Sequence, residues 1–246
     1  MAHVELPGLA PALLAIGTWL VYVADRILDG LNARTADRLR ERHFFYSQHR
    51  MTFLAVGAIV SPAFIWLVFT RMSSAARLED SAVFAVAALY FILVHSHGGA
   101  TERWLPKELA VGVLFATATA VPAWARAADQ RLVLAPVVAV FAILCWLNCV
   151  AIESWESSLA DISHPTTVWA AQHLPRLALA TAVLSIALAC ASLHDQARFC
   201  LLLASAISAL LLMWLASRKR HMAPMQLRVA ADAALLTPLL FAAWLR

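Results

Sequence analysis

Along most of this chain apolar residues run on without the regular polar interruptions of a surface helix, and polar residues collect in the gaps between the runs. The runs cover roughly 8–28, 51–70, 81–97, 108–125, 132–152, 174–192, 198–216 and 226–245, each close to the about 20 residues that a helix needs to cross hydrocarbon. Ten-residue segments of alternating apolar and polar residues, the mark of an outer-membrane barrel strand, are absent. The pattern therefore predicts an all-α fold. It is a polytopic transmembrane helix bundle of about eight helices, forming one transmembrane helical domain over 1–246.

Composition agrees with the pattern: 62% of the 246 residues are hydrophobic and 14% are charged, and the mean hydropathy is +0.74, far above an ordinary soluble domain. The opening MAHVELPG has no basic region before its apolar run, so the first helix is expected to stay in the mature protein and not to be removed as a signal peptide. Cys145, Cys149, Cys190 and Cys200 lie in or beside apolar helices with no ligand spacing shared with histidine. They read as small buried residues. The net charge of +4 reflects membrane lipids and topology, not nucleic acid.

Charge distribution gives an orientation. With the N-terminus outside, thirteen of the 19 basic residues fall at the inward ends, which by the positive-inside rule predicts an integral, multi-pass protein of a bacterial-type inner membrane. The polar clusters then share the cytoplasmic side. Asp25 and Asp29 close the first helix, Lys107 and Glu108 open the fourth, Asn148, Glu153 and Glu156 close the fifth, and Asp232 lies early in the eighth.

Chemistry is most concentrated in WLVYVADRILDGLNART, residues 19–35. Asp25 and Asp29 are four apart, so a helix carries both on one face, about 6 Å apart along its axis. Carboxylates near hydrocarbon are costly and usually face a polar cavity; alternatively the helix simply emerges into water at Asp25. Paired carboxylates suit magnesium, which takes oxygen ligands and shares them with phosphate. In CWLNCVAIESWESSLAD, residues 145–161, Glu153 and Glu156 share a second face, with Asn148 one to two turns before them. Two acidic pairs facing one another would hold divalent metal against a diphosphate, whereas a solvated helix end would need no such role. In HSHGGATERWLPKELAVG, residues 95–112, two glycines allow close backbone approach to an anion, and Arg103 and Lys107 supply positive charge. The plainer reading is an interfacial turn anchored by Trp104. His95 and His97, two apart, point to opposite helix faces and make a poor ligand pair. Asp232 is placed either with Arg228, four residues earlier, or in the cytoplasmic cavity. DISHPTT, from Asp161, reads as a proline-containing loop.

The order of these features resembles the UbiA-type prenyltransferase superfamily of intramembrane enzymes. VYVADRILD resembles that family's first Asp-rich motif, with Asp25 and Asp29 at the two Asp positions. LNART resembles the segment that follows, and KELAVGVLFA the Lys-containing entry to a middle helix. NCVAIESWE occupies the place of the second motif. The likeness covers nearly the whole chain in organisation and few residues in detail. Val21 stands where the family has Asn, and Glu153 and Glu156 replace two Asp four apart. The Arg-Pro signature after the first motif is missing.

The resemblance implies a divergent membrane prenyltransferase, moving an isoprenyl group from a prenyl diphosphate to a lipophilic acceptor with magnesium. Asp25, Asp29, Glu153 and Glu156 would be the metal ligands and Asp25, Asp29 and Lys107 the catalytic residues. Arg103, Lys107, Asn148 and Asp232 would bind substrate. The altered motifs leave open a noncatalytic isoprenoid- or quinone-binding membrane protein on the same scaffold. A transporter is disfavoured by the absence of an internal repeat and of paired broken helices.

Overall fold

Helices overlap every apolar run. The computed structural model describes residues 9–32, 48–96, 106–126, 128–157, 162 and 164–241, and among them all regular structure is helical. The α-helices are α1 (Ala10–Asn32), α2 (Arg50–Arg71), α3 (Ser74–Ser96), α4 (Lys107–Trp124), α5 (Arg131–Glu156), α6 (Pro165–Gln172), α7 (Leu174–Cys190), α8 (Gln196–Arg218) and α9 (Pro224–Ala234). A 3-10 turn precedes α5 and another, Thr237–Phe241, follows α9.

The apolar runs coincide with α1–α5 and α7–α9, but helix count is not crossing count. Three of the described helices, α2, α5 and α8, are long and apolar enough to cross a membrane, and the bent pair α6–α7 makes a fourth if it is one span. Eight crossings were expected; length and composition support three or four among the described residues. The last run is not one span but α9 and the 3-10 turn. The proline loop is also corrected. His164 Nδ1 accepts the Thr166 N–H at 3.1 Å, capping α6, and Pro165 takes the first helical position, where its missing N–H costs nothing.

The chain divides into two compact units, one of Val4–Gly98 with Val121–Arg126 and one of Met1–His3, Gly99–Ala120 and Ala127–Arg246. In the first, α1 packs on α2 where Gly17 leaves room for the Phe64 ring; a Cβ there would sit 3.2 Å from Phe64 Cζ. At the break between α2 and α3 the Arg77 guanidinium donates to the Phe69 carbonyl at 2.7 Å, and Ser73 Oγ accepts the Ala76 N–H at 3.2 Å. None of the residues of α2 is buried, and Ile59, Trp66 and Phe69 are more than half exposed. Such an apolar exterior is what lipid would cover.

In the second unit the core is built from α5, α7, α8 and α9. Val140, Leu144, Leu147 and Ala151 recur every three or four residues on α5 and are fully buried. Small residues let the helices approach: Ala178, Ala182, Ser185 and Ala189 line the buried face of α7. α4 comes close to α5 at one point, where a Cβ at Gly112 would lie 2.5 Å from the Trp146 backbone nitrogen.

The chain beyond α9 shows how a broken helix is tolerated in an apolar bundle. Unwinding past Ala234 frees carbonyls that no water reaches. Ser208 Oγ, on α8, reaches the Ala234 carbonyl at 2.8 Å and Thr237 Oγ1 at 2.6 Å, while Thr237 Oγ1 also reaches the Ala204 carbonyl at 2.8 Å. With one proton on each hydroxyl, the two form a chain that ends on a carbonyl. Thr237→Val keeps the shape and deletes one donor, so we expect a loss of about 1 kcal/mol in detergent unfolding. An unchanged midpoint would mean that the freed carbonyls find other partners.

Candidate functional site

Polar side chains from four helices of the second unit gather near one end of its bundle. α4 starts at Lys107 because Pro106 precedes it with a preset backbone angle, and the Pro106 carbonyl accepts the Ala110 N–H at 3.1 Å. Glu108 follows in the first turn, where a carboxylate meets the positive end of the helix dipole. Its Oε2 accepts the Thr167 hydroxyl at 2.7 Å. Thr167 is fully buried and belongs to α6, so this bond ties that short helix to α4.

The C-terminal third of α5 brings Asn148, Cys149, Glu153 and Glu156. Asn148 is only 5% exposed, and its Nδ2 donates to Asp232 Oδ1 on α9 at 3.0 Å. A carboxylate partner fixes the amide orientation, since only the N–H side can face it. Asn148 Oδ1 is then buried without a hydrogen-bond partner among the described residues. An orphaned buried acceptor costs about 1–3 kcal/mol. Asp232 itself is exposed. Cys149, beside Asn148, lies within electrostatic reach of Glu108, Asp232 and Lys107. Three of the four residues expected to bind substrate, Lys107, Asn148 and Asp232, are therefore brought together by α4, α5 and α9. Arg103 lies outside the described residues.

The expected pairing within α9 does not form. Arg228 turns instead to Glu156 on α5, with 3.4 Å between Nη1 and Oε1, and Asp232 turns to Asn148. The i, i+4 rule compares only one helix's own side chains, whereas packing α9 against α5 offers each residue a less hydrated partner. Both ends of the Arg228–Glu156 pair are largely shielded, at 16% and 13% exposed.

At the end of α5 the two glutamates expected to ligate metal have protein partners. Glu153 Oε1 accepts the Ser157 hydroxyl at 2.9 Å, Glu156 is taken by Arg228, and among the described residues no three His, Cys, Asp or Glu side chains are grouped to hold a metal ion. For the other pair the backbone is in place. α1 is continuous helix through Asn32, which sets Asp25 and Asp29 on one face; their side chains lie outside the described set. They belong to the first unit.

Thr167 escapes sequence reasoning because it sits in a stretch that reads as a loop. His164 before a proline is the signal that would have found it, as a cap opening a helix. No family model, curated protein or solved structure matches the chain, so these residues carry the functional reading by themselves.

Proposed function

We propose that the protein is a divergent UbiA-like membrane prenyltransferase, multi-pass in a bacterial-type inner membrane, with its site toward the cytoplasm. It would move an isoprenyl group from a prenyl diphosphate to a lipophilic acceptor. The observation that carries this reading is the gathering of Lys107, Glu108, Asn148 and Asp232 at one end of an otherwise apolar bundle. A ligand with a polar head and a long hydrocarbon tail finds charge at that end and apolar helices beyond it.

In this reading Lys107, with Arg103, places positive charge where the departing diphosphate becomes more negative. Asn148 and Asp232 position the head of a substrate through the free Oδ1 and the exposed carboxylate. The helices exclude water from the reacting carbon. Within the first unit, Asp25 and Asp29 are the residues that would hold magnesium, an ion whose chemistry is charge neutralisation of a diphosphate. Glu153 and Glu156, expected beside them, engage Ser157 and Arg228 through Oε1.

Those protein partners favour a second reading, a noncatalytic protein that binds an isoprenoid or quinone on the same scaffold. One assay separates the two. Purified protein in detergent is given a labelled prenyl diphosphate and a panel of acceptors, with magnesium or with a chelator. The enzyme reading expects diphosphate release only with magnesium. Retention of the labelled ligand without release across the panel would replace it with the binding-protein reading, and release that ignores the chelator would remove the metal from the proposal.

A further inference from the structure

The end of α8 carries a charge that nothing among the described residues offsets. Arg218, Lys219, Arg220 and His221 follow one another and all are exposed. The chain has no Asp or Glu between Gln196 and Ala231. The side chains of Lys219, Arg220 and His221 make no hydrogen bond or ion pair among the described residues. The next cation along, Arg228, is engaged with Glu156.

Two further observations set the level of this charge. α8 is one of the helices long and apolar enough to cross a membrane, with 23 residues, and its length of about 35 Å exceeds the about 30 Å of hydrocarbon. Its last turn therefore reaches the headgroup layer. One turn before Arg218, Trp214 is half exposed, and the Arg218 guanidinium lies 5.5 Å from its ring centroid. An exposed indole with a cation over its face is an interfacial arrangement: the ring rests among glycerol and headgroups and the charge extends outward.

We propose that Arg218, Lys219 and Arg220 form a binding surface for anionic phospholipid headgroups. The backbone chooses between a lipid surface and a single anion. Arg218 closes α8 and Lys219 keeps a right-handed helical backbone angle, so successive side chains leave the axis about 100° apart. They fan around the helix end and do not converge on one point. Such a fan matches several phosphates in a plane, as in a leaflet, and it is ill suited to enclosing one free phosphate. The inference rests on the membrane-spanning character of α8 and not on any enzymatic activity.

The test uses the full chain in phosphatidylcholine-containing micelles, titrated with phosphatidylglycerol, with bound lipid counted by native mass spectrometry. Wild type is expected to prefer phosphatidylglycerol over phosphatidylcholine and to lose that preference at high salt. Lys219→Gln with Arg220→Gln should weaken phosphatidylglycerol binding about 30-fold, since each basic residue near an anionic surface contributes about fivefold. The charge-keeping exchange Lys219→Arg with Arg220→Lys should leave it unchanged. Both neutralised side chains are exposed and unpaired among the described residues, so the unfolding midpoint in phosphatidylcholine alone should match wild type. Equal binding of the two lipids by wild type, or an undiminished preference in the neutralised variant, overturns the proposal. Displacement of the lipid by millimolar inorganic phosphate would also overturn it, in favour of a free-anion site.

Discussion

Asp25→Ala and Asp29→Ala should each lower magnesium-dependent diphosphate release by about a hundredfold or more. The argument starts from the backbone. α1 is unbroken from Ala10 to Asn32, so positions 25 and 29 fall one turn apart on one helix face, where two carboxylates would offer hard oxygen ligands to one ion in the proposed enzyme. Removing either leaves a site too weakly charged to hold the ion against water. Charge neutralisation of the departing group is then lost, an effect worth several kcal/mol where metal supplies it. Because the pair would act as a unit, the double variant should be little worse than either single one. Glu153→Gln provides the contrast. Its partner is Ser157, so its rate should stay within a few-fold of wild type, and a loss as deep as that of the aspartates would return Glu153 to the metal set. Single aspartate variants with near-normal release would sink the metal role.

The second large effect is on stability. Gly112→Ala should destabilise the protein, although alanine is the better helix former by about 1 kcal/mol. The added methyl would meet the Trp146 backbone, 2.5 Å from its nitrogen and 2.8 Å from its Cα, and no rotamer change can move a backbone. α4 and α5 must separate instead, with a packing cost of about 1–3 kcal/mol and more for a larger side chain. Gly57→Ala is the matched control. Nothing lies within 4 Å of a Cβ at that position, so propensity acts alone and a gain of about 0.5–1 kcal/mol is expected. Unfolding midpoints in one detergent read both, and a shift of the same sign in the two variants would refute the close approach of α4 to α5.

Local pattern predicted what depends on local pattern. The apolar runs of α5 and α8 were readable because length and hydropathy suffice to mark a helix, and Lys107, Asn148 and Asp232 stood out because polar residues are scarce in such runs. Partnerships were another matter. Arg228 and Asp232 share a helix face at the favoured spacing, yet each bonds across to α5; that choice depends on how α9 docks, which no periodicity records. The 3-10 segment at Thr237–Phe241 fails as a continuation of α9 because Pro238 has no N–H for the Ala234 carbonyl, and Ser208, 26 residues earlier than Ala234, donates to that carbonyl instead. α6 was missed for the opposite reason, since its eight residues are too few for a periodic signal and only its cap announces it.

The two polar contacts between α5 and α9 have a mechanical consequence. A single contact between helices is a pivot, about which one can swing or slide past the other. Asn148–Asp232 and Glu156–Arg228 are separated by about two turns along α5 and about one along α9, and two rivets remove the pivot. Any ligand-driven motion of this end must carry α5 and α9 together as one lever.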